Sequence, residues 1–418
     1  MKLPNFTVKF ATVLCCAVLL AAWLFASGAA QAATLQAANN GVDSATCGAA
    51  ANPCRSISKT IAHAAAGDTI LVGPGLYGDL NADGNFEPVF GEEAAEVGFG
   101  CDCMIKVDKP LTIISADGAD ATVLDAGAST VAGVRILTSG VTFGQQRRGF
   151  TIWRAGDAGL IVDAKGSQVK IGGNVAKFNS INCRFGCFDP PGPRPGFDIA
   201  GDNNEISSNH SANNFGSGFK AAGNGHRFSG NLATENGGAG YFVLGTNHTF
   251  SRNIANNSGG SGFALDGANF TLTGNAAAAS GSGFLVHGTT HTLRGNVATG
   301  NIGFGFEVSA VKSPSGTTLT RNAARGNAEG GVLLVVDATV VNNNMYGNNE
   351  GTSATYSLTN CGLVNDTGGA VTATNNFWGA TTGPGANPAD DVCNTTGSTT
   401  TTAPVAASEI TVPAFPLF

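Results

Sequence analysis

From residue 171 to residue 343 the chain repeats one short pattern of apolar and polar positions. Ile171, Ile206, Phe228, Phe250, Leu272, Leu293, Leu319 and Val340 each stand three residues before an asparagine: Asn174, Asn209, Asn231, Asn253, Asn275, Asn296, Asn322 and Asn343. The asparagines are 35, 22, 22, 22, 21, 26 and 21 residues apart. Two residues after most of them comes a small side chain, at Ala176, Ala233, Ala255, Ala277, Ala298 and Ala324. Five residues after comes a second polar column, Asn179, Asn214, Asn236, Ser258, Ser280, Asn301, Asn327 and Asn348. Gly196-Phe197, Gly218-Phe219, Gly240-Tyr241, Gly262-Phe263 and Gly283-Phe284 each fall 13 residues ahead of a ladder asparagine. Columns that keep phase in this way predict stacked coils, each burying its apolar face only against its neighbours. Runs such as Tyr241-Phe242-Val243-Leu244 are β-branched or aromatic and are cut by Gly and Asn before reaching helical length, so the coils are built of short strands.

Asparagine suits the bend of such a coil for two reasons. It tolerates the left-handed backbone conformation, and stacked amides about 4.8 Å apart can satisfy one another's donors and acceptors. The row is therefore expected to be a structural ladder rather than a row of ligands. A stack of strands has two open ends that need covering. From Pro53 to Ala66, Ile57, Ile61 and Ala64 or Ala65 recur at helical spacing, which predicts a short amphipathic cap helix. The far end is expected to close around Phe377-Trp378 and the final residues 413–418, with the Thr/Ser stretch from Asn394 to Thr402 as a loosely ordered connector.

Taken with these columns, two segments resemble the secreted right-handed parallel β-helix repeat proteins of the pectin-lyase-like superfamily. Pro53-Cys54-Arg55-Ser56-Ile57, leading to Gly67-Asp68-Thr69-Ile70-Leu71-Val72 and Pro74-Gly75-Leu76-Tyr77, looks like that family's cap helix and first strand. Asn375-Asn376-Phe377-Trp378-Gly379, with Gly383-Pro384-Gly385, resembles its closing segment. The resemblance implies an all-β chain, a single right-handed parallel β-helix of about 10 to 12 coils of roughly 22 residues with a short N-terminal cap helix. The expected division is a signal peptide (1–32), cap helix and first strand (33–78), an acidic cysteine-containing insertion (79–103), coils (104–379) and a C-terminal cap segment (380–418). The scaffold hosts lyases, hydrolases, epimerases and adhesins, so fold alone does not name an activity.

Composition agrees with repetitive β structure: 60 glycines, three methionines and 12% charged residues. A net charge of -7 without a cluster of cations and aromatics gives no footprint for nucleic acid. Lys2 and Lys9 precede an apolar run from Phe10 to Phe25, and Ala30-Gln31-Ala32 offers a cleavage site, so the chain reads as secreted or periplasmic with cleavage near Ala32. Retention as an uncleaved anchor is the competing reading, and a lipoprotein reading is disfavoured by Leu14 before Cys15. Cleavage leaves eight cysteines. Proximity pairs Cys47 with Cys54, Cys183 with Cys187 and Cys361 with Cys393, leaving Cys101 and Cys103, while zinc is disfavoured because no two Cys-x-x-Cys pairs occur.

Candidate chemistry sits where the coils are interrupted. The insertion from Gly78 to Cys103 opens with Asp79, Asn81, Asp83, Asn85 and Glu87, whose Asp-x-Asn-x-Asp-Gly start has the alternating oxygen donors of a calcium loop. Phe90 stands at the twelfth position, so Glu87, Glu92 or Glu93 would have to complete the shell, and a plain acidic turn is the alternative. The segment from Ser180 to Pro195 brings Arg184 and Arg194, which with Arg147, Arg148 and Arg154 would form a basic rim for an anionic sugar polymer, or else scattered solvated charges. A shorter interruption spans Val311 to Gly316. His226, His248, Phe270, His291 and Thr317 form a column five residues ahead of the ladder, read as aromatic stacking rather than a metal or proton relay. Asp163, Asp198, Asp202, Asp266 and Glu307 give no reason to pair any two, and Asp390-Asp391 falls in the terminal segment. The sequons at Asn209 and Asn247 read as incidental, since Asn209 should point inward. The leading expectation is a non-catalytic exported scaffold that binds polysaccharide or a cell-surface partner. The alternative is a polysaccharide lyase, epimerase or hydrolase; an acid and a cation sharing one groove would favour it.

Overall fold

The computed structural model describes residues 31–98, 100–180, 194–311, 315–349 and 358–412. The leader through residue 30, Cys183, Arg184, Cys187 and the last six residues lie outside them. Each coil contributes one strand to each of three sheets in turn, and every pairing between coils is parallel. The first sheet has 12 strands, from Thr34–Ala37 to Ala338–Val341; the second has 11, from Gly75–Gly78 to Asn344–Tyr346; the third has 12, from Cys103–Val107 to Asp391–Asn394. This is a single parallel β-helix, and the length of its sheets matches the expected number of coils.

The repeat columns become vertical stacks in the core. Ile171, Ile206, Phe228, Phe250, Leu272, Leu293, Leu319 and Val340 are register partners along the first sheet and are all buried. The Gly-aromatic column places Phe197, Phe219, Tyr241, Phe263, Phe284 and Phe306 inside the third sheet, with successive ring centroids 4.5 to 4.9 Å apart and planes within 7° of parallel. The glycine of the pair is required by crowding. A Cβ on Gly240 would sit 2.6 Å from Gly262 O and 2.7 Å from Ala255 Cβ.

Three polar ladders occupy the three bends. Between the first and second sheets, Asn231 Nδ2 and backbone N both donate to Asn253 Oδ1, while Asn253 Nδ2 donates to Phe228 O and Asn275 Oδ1, all at 3.0 Å. The same pattern runs from Asn174 through Asn209, Asn296, Asn322 and Asn343 and ends on Asn376, so these amides are spent on one another and on the coil backbone. Between the second and third sheets the second column ends on Asp390, whose carboxylate accepts from Gly347 N, Asn348 N and Asn348 Nδ2. The terminal aspartate closes a ladder. Between the third and first sheets runs the histidine column: His226 N donates to His248 Nδ1 at 3.0 Å, and the two rings stack with centroids 5.0 Å apart.

Both ends differ in detail from expectation. The cap helix α1 is only Ile57–His63, with the Ser56 side chain accepting from Lys59 N. Glu93 of the insertion accepts from Ile57 N, Ser58 N and Ser58 Oγ, placing a carboxylate on the helix N-terminus. The first strand is Thr34–Ala37, ahead of the helix and parallel to Thr69–Val72. At the other end the helix continues past residue 379: Asp391–Asn394 extends the third sheet, and Thr399–Thr401 pairs with Ala370–Thr372. The Thr-rich connector is thus partly strand, because β-branched residues suit an edge that already offers a partner. Disulfides join Cys47 to Cys54, Cys101 to Cys103 and Cys361 to Cys393. Among the described residues no helix is long and apolar enough to cross a membrane.

Candidate functional site

The residue after each Gly-aromatic pair points outward, so the third sheet carries one register row of exposed and half-buried side chains. In order it reads Lys106, Arg135, Ile161, Asp198, Lys220, Phe242, Ala264, Leu285 and Glu307, after which its next register partner, Leu333, is buried. Beside it a second row holds Ala222, Leu244, Asp266, His287 and Ser309. Strand register thus aligns acids that are scattered in the sequence along one face. Asp198 and Glu307 share a row, Asp266 stands directly beside His287, and Asp163 pairs with Arg135 at 3.0 Å.

Two clusters result. In the first, Lys220 Nζ lies 3.2 Å from Asp198 Oδ2, and Arg194 Nε lies 3.1 Å from Asp157 Oδ1. Burial pushes the Asp198 carboxyl above its usual range, with Lys220 and then Arg194 pulling the other way. In the second, Phe242, Ala264, Leu265, Asp266, Leu285, His287 and Ser309 line a shallow depression of about 350 Å³. His287 Nδ1 and Ser309 Oγ are 3.0 Å apart there. Phe242 is 37% exposed, and burial raises the neighbouring Glu307 carboxyl. A carboxyl raised by burial and paired with a cation, as Asp198 is, has the makings of a group that exchanges a proton, while a partly exposed aromatic ring flanked by polar tips suits a ring with apolar and hydroxylated faces.

The residues singled out from sequence are distributed differently. Arg147 and Arg148 lie at the bend between the first and second sheets, where Arg148 Nε donates to Ser115 O. Arg154 lies at the next bend, bound to Asp125 and stacked 4.5 Å over the Trp153 ring. Of the four described, only Arg194 joins the third-sheet cluster, and these four do not form one rim; Arg184 lies outside the described residues.

In the insertion, Asp79 is buried and accepts from Ala82 N and Gly84 N, both at 2.7 Å. Asn81 accepts from Asp83 N, Asp83 from Asn85 N, and Glu92 from Leu80 N and Glu87 N. These side-chain oxygens accept from the loop's own backbone N–H groups. Among the described residues the one trio of His, Cys, Asp or Glu ligand atoms within 4.8 Å of one another is Cys47, Cys54 and His63, and its two sulfurs are bonded to each other.

The histidine column is likewise committed to structure. Nδ1 of His248 accepts, which leaves its proton on Nε2, 3.2 Å from Leu244 O. Burial lowers His226, His248 and His291, the last two to about 4, so the column is neutral at pH 7.

Sequence reasoning missed the outward row although its signal was present. Asp198, Lys220, Phe242, Ala264 and Leu285 each follow a recognised Gly-aromatic pair, and Glu307 follows Gly305-Phe306, displaced from the ladder phase by the interruption at 311–316.

The family described as "Right handed beta helix region" matches residues 243–378. Among solved structures, the pectate lyase Pel9A is 20% identical, with 79% of this chain and 83% of that chain covered at a TM-score of 0.51. A mannuronic acid specific polysaccharide family 6 lyase from human gut microbiota is 12% identical, with 81% and 86% covered at a TM-score of 0.46. No curated protein matches. The fold is a right-handed parallel β-helix, an architecture shared with this pectate lyase.

Proposed function

We propose that the chain is an exported β-helix that binds an extracellular polysaccharide along the outer face of its third sheet. The observation that carries this reading is the row from Asp198 to Glu307. Its five coil spacings, at about 4.8 Å each, give a strip of about 24 Å on which charged ends flank an apolar centre. Phe242 and Leu285 offer a surface for the apolar face of a sugar ring, and Asp266, His287 and Ser309 offer partners for its hydroxyls. The fold shared with a pectate lyase is consistent with a carbohydrate partner but does not choose one.

A second reading, a lyase, epimerase or hydrolase, is favoured by one feature: the raised Asp198 carboxyl contacts Lys220 and lies in the field of Arg194. Such a group can exchange a proton while the cations balance a substrate carboxylate. A calcium ion in the insertion would add to order that the loop's own hydrogen bonds already supply, and neither reading depends on it.

The test is to incubate the purified protein and a Phe242→Ala/His287→Ala variant with immobilised acidic and neutral polysaccharides, recording retention and any unsaturated or reducing-end products. Retention of the wild type, weakened by the double substitution and without products, supports the binding scaffold. Products that disappear in Asp198→Asn move the assignment to the enzyme. Retention unchanged by the double substitution, or none on any polymer, overturns the third-sheet site.

A further inference from the structure

The first sheet faces away from this strip and carries the opposite kind of surface. On its outer side and along the bend after it stand Arg227, Arg252, Arg294 and Arg321, spread over five successive coils. Each is exposed, and none has an ion pair or side-chain hydrogen bond among the described residues, although the chain as a whole carries a net charge of -7. Glu205 is the register partner of Arg227, yet no ion pair joins them. Lys106, Arg135, Arg154, Arg194, Lys220 and Arg325 have acid partners, whereas Lys170 on the same sheet, Lys177, Arg147 and Arg148 have no ion pair among the described residues.

Two of the four share a cleft. Arg294 and Arg321, with Thr273, Gly274, Gly295 and Thr411, line a depression of about 240 Å³. Its far wall is the C-terminal segment, which runs back along the helix. Ile410 exchanges hydrogen bonds with the Asn344 amide, and Glu409 pairs with Arg325. Arg321 sits at φ 54° and Arg252 at φ 54°, where the same bend position is taken by Gly230, Gly274 and Gly295 and by Ser208 and Asn342 in other coils. Arginine in the left-handed region is less stable there than glycine.

We propose that this face is a second binding site, for a polysaccharide bearing sulfate or carboxylate groups, with one anionic group held between Arg294 and Arg321 and the chain continuing past Arg252 and Arg227. Two guanidinium groups that are not neutralised by the protein, flanked by threonine hydroxyls, match an oxyanion by charge and by hydrogen-bond geometry. The spacing of one coil, about 4.8 Å, lets further charges follow the polymer along the helix axis. The site stands apart from the third-sheet strip and does not depend on it.

The experiment measures binding of the full chain to dextran sulfate, polygalacturonate and uncharged dextran across a range of salt. Wild type is expected to bind one or both polyanions and not dextran, with affinity falling as salt rises. Arg294→Ala/Arg321→Gly should weaken that binding roughly tenfold or more and flatten the salt dependence, with the melting temperature unchanged or higher because glycine relieves the left-handed position. Phe242→Ala/His287→Ala, on the third sheet, should leave dextran sulfate binding within twofold. Binding to dextran sulfate alone assigns sulfate esters as the group recognised, and binding to polygalacturonate alone assigns carboxylates. The proposal is overturned if the arginine variant binds both polyanions as wild type does, or if wild type binds neither.

Discussion

Asn253 tests the ladder most directly, because all of its partners are themselves buried. Replacing it with alanine removes the acceptor for Asn231 N and Asn231 Nδ2 and the donor to Phe228 O, each at 3.0 Å. Asn275 Oδ1 keeps its bond from the backbone N of residue 253, at 2.9 Å. The side chain is fully buried, so water does not replace what is lost. Two orphaned donors at about 1 to 3 kcal/mol each give a loss of about 2 to 6 kcal/mol. Removal of the exposed Asn224 amide, by contrast, should cost about 0.5 kcal/mol or less. Urea unfolding followed by far-ultraviolet circular dichroism measures both variants. Since coils interact only with neighbours, the Asn253 variant should also broaden or split the transition, with the two flanks of the stack unfolding separately. An Asn253→Ala loss within about 0.5 kcal/mol of that for Asn224→Ala would refute the view that stacked amides hold the bends.

The histidine column sets an acid limit on stability. His248 and His291 are lowered to about 4 in the folded chain against an ordinary 6.5, so the unfolded chain binds more protons between those values. Stability is complete above about pH 6.5 and falls towards pH 4 by at most about 1.4 kcal/mol per pH unit for each histidine. His248→Asn copies Asn204, which accepts from Val169 N in the same column, and should flatten that slope while keeping an acceptor for His226 N; an unchanged slope in pH-dependent unfolding would contradict it. Chelation should leave the melting temperature of the intact protein unchanged, because Asp79, Asn81, Asp83 and Glu92 already bond the loop backbone; a drop on adding chelator, restored by calcium, would reverse that reading. Glu93→Gln should lower stability by about 1 to 2 kcal/mol in thermal unfolding, since it removes the charge at the α1 N-terminus and one acceptor for three donors; no change would mean that the insertion does not hold the cap.

The fold was legible because its columns are one-dimensional. Ile171, Asn174 and Ala176 recur in phase, and phase along the chain becomes position around the coil. The ends were less legible, since Thr34–Ala37 is a single strand without a repeat to announce it, and Thr399–Thr401 hides in a stretch whose composition resembles a linker. The candidate site was legible in principle and still missed. Asp198 and Lys220 are 22 residues apart, which looks remote until the Gly-aromatic column is used as a ruler; each is simply the next residue. Glu307 escaped even that ruler, because an interruption between strands shifts the count to the ladder without shifting the strand itself.

The same geometry decides where function can reside. The inward positions of all three bends are occupied by asparagines, by the second amide and serine column ending on Asp390, and by the histidine column, and what stays free at the bend after the first sheet is its outward position, held by Arg252 and Arg321. Core columns are filled with stacked aromatics and alanines. What the repeat leaves undetermined is the outward residue of each strand, which can change from coil to coil at little cost in stability. On the third sheet that freedom places acids, cations and a partly exposed aromatic ring in one line, and on the first sheet it places arginines without acids. A scaffold with two such faces can hold one polymer on one side and a differently charged one on the other, and variants confined to a single face separate the two without disturbing the ladders between them.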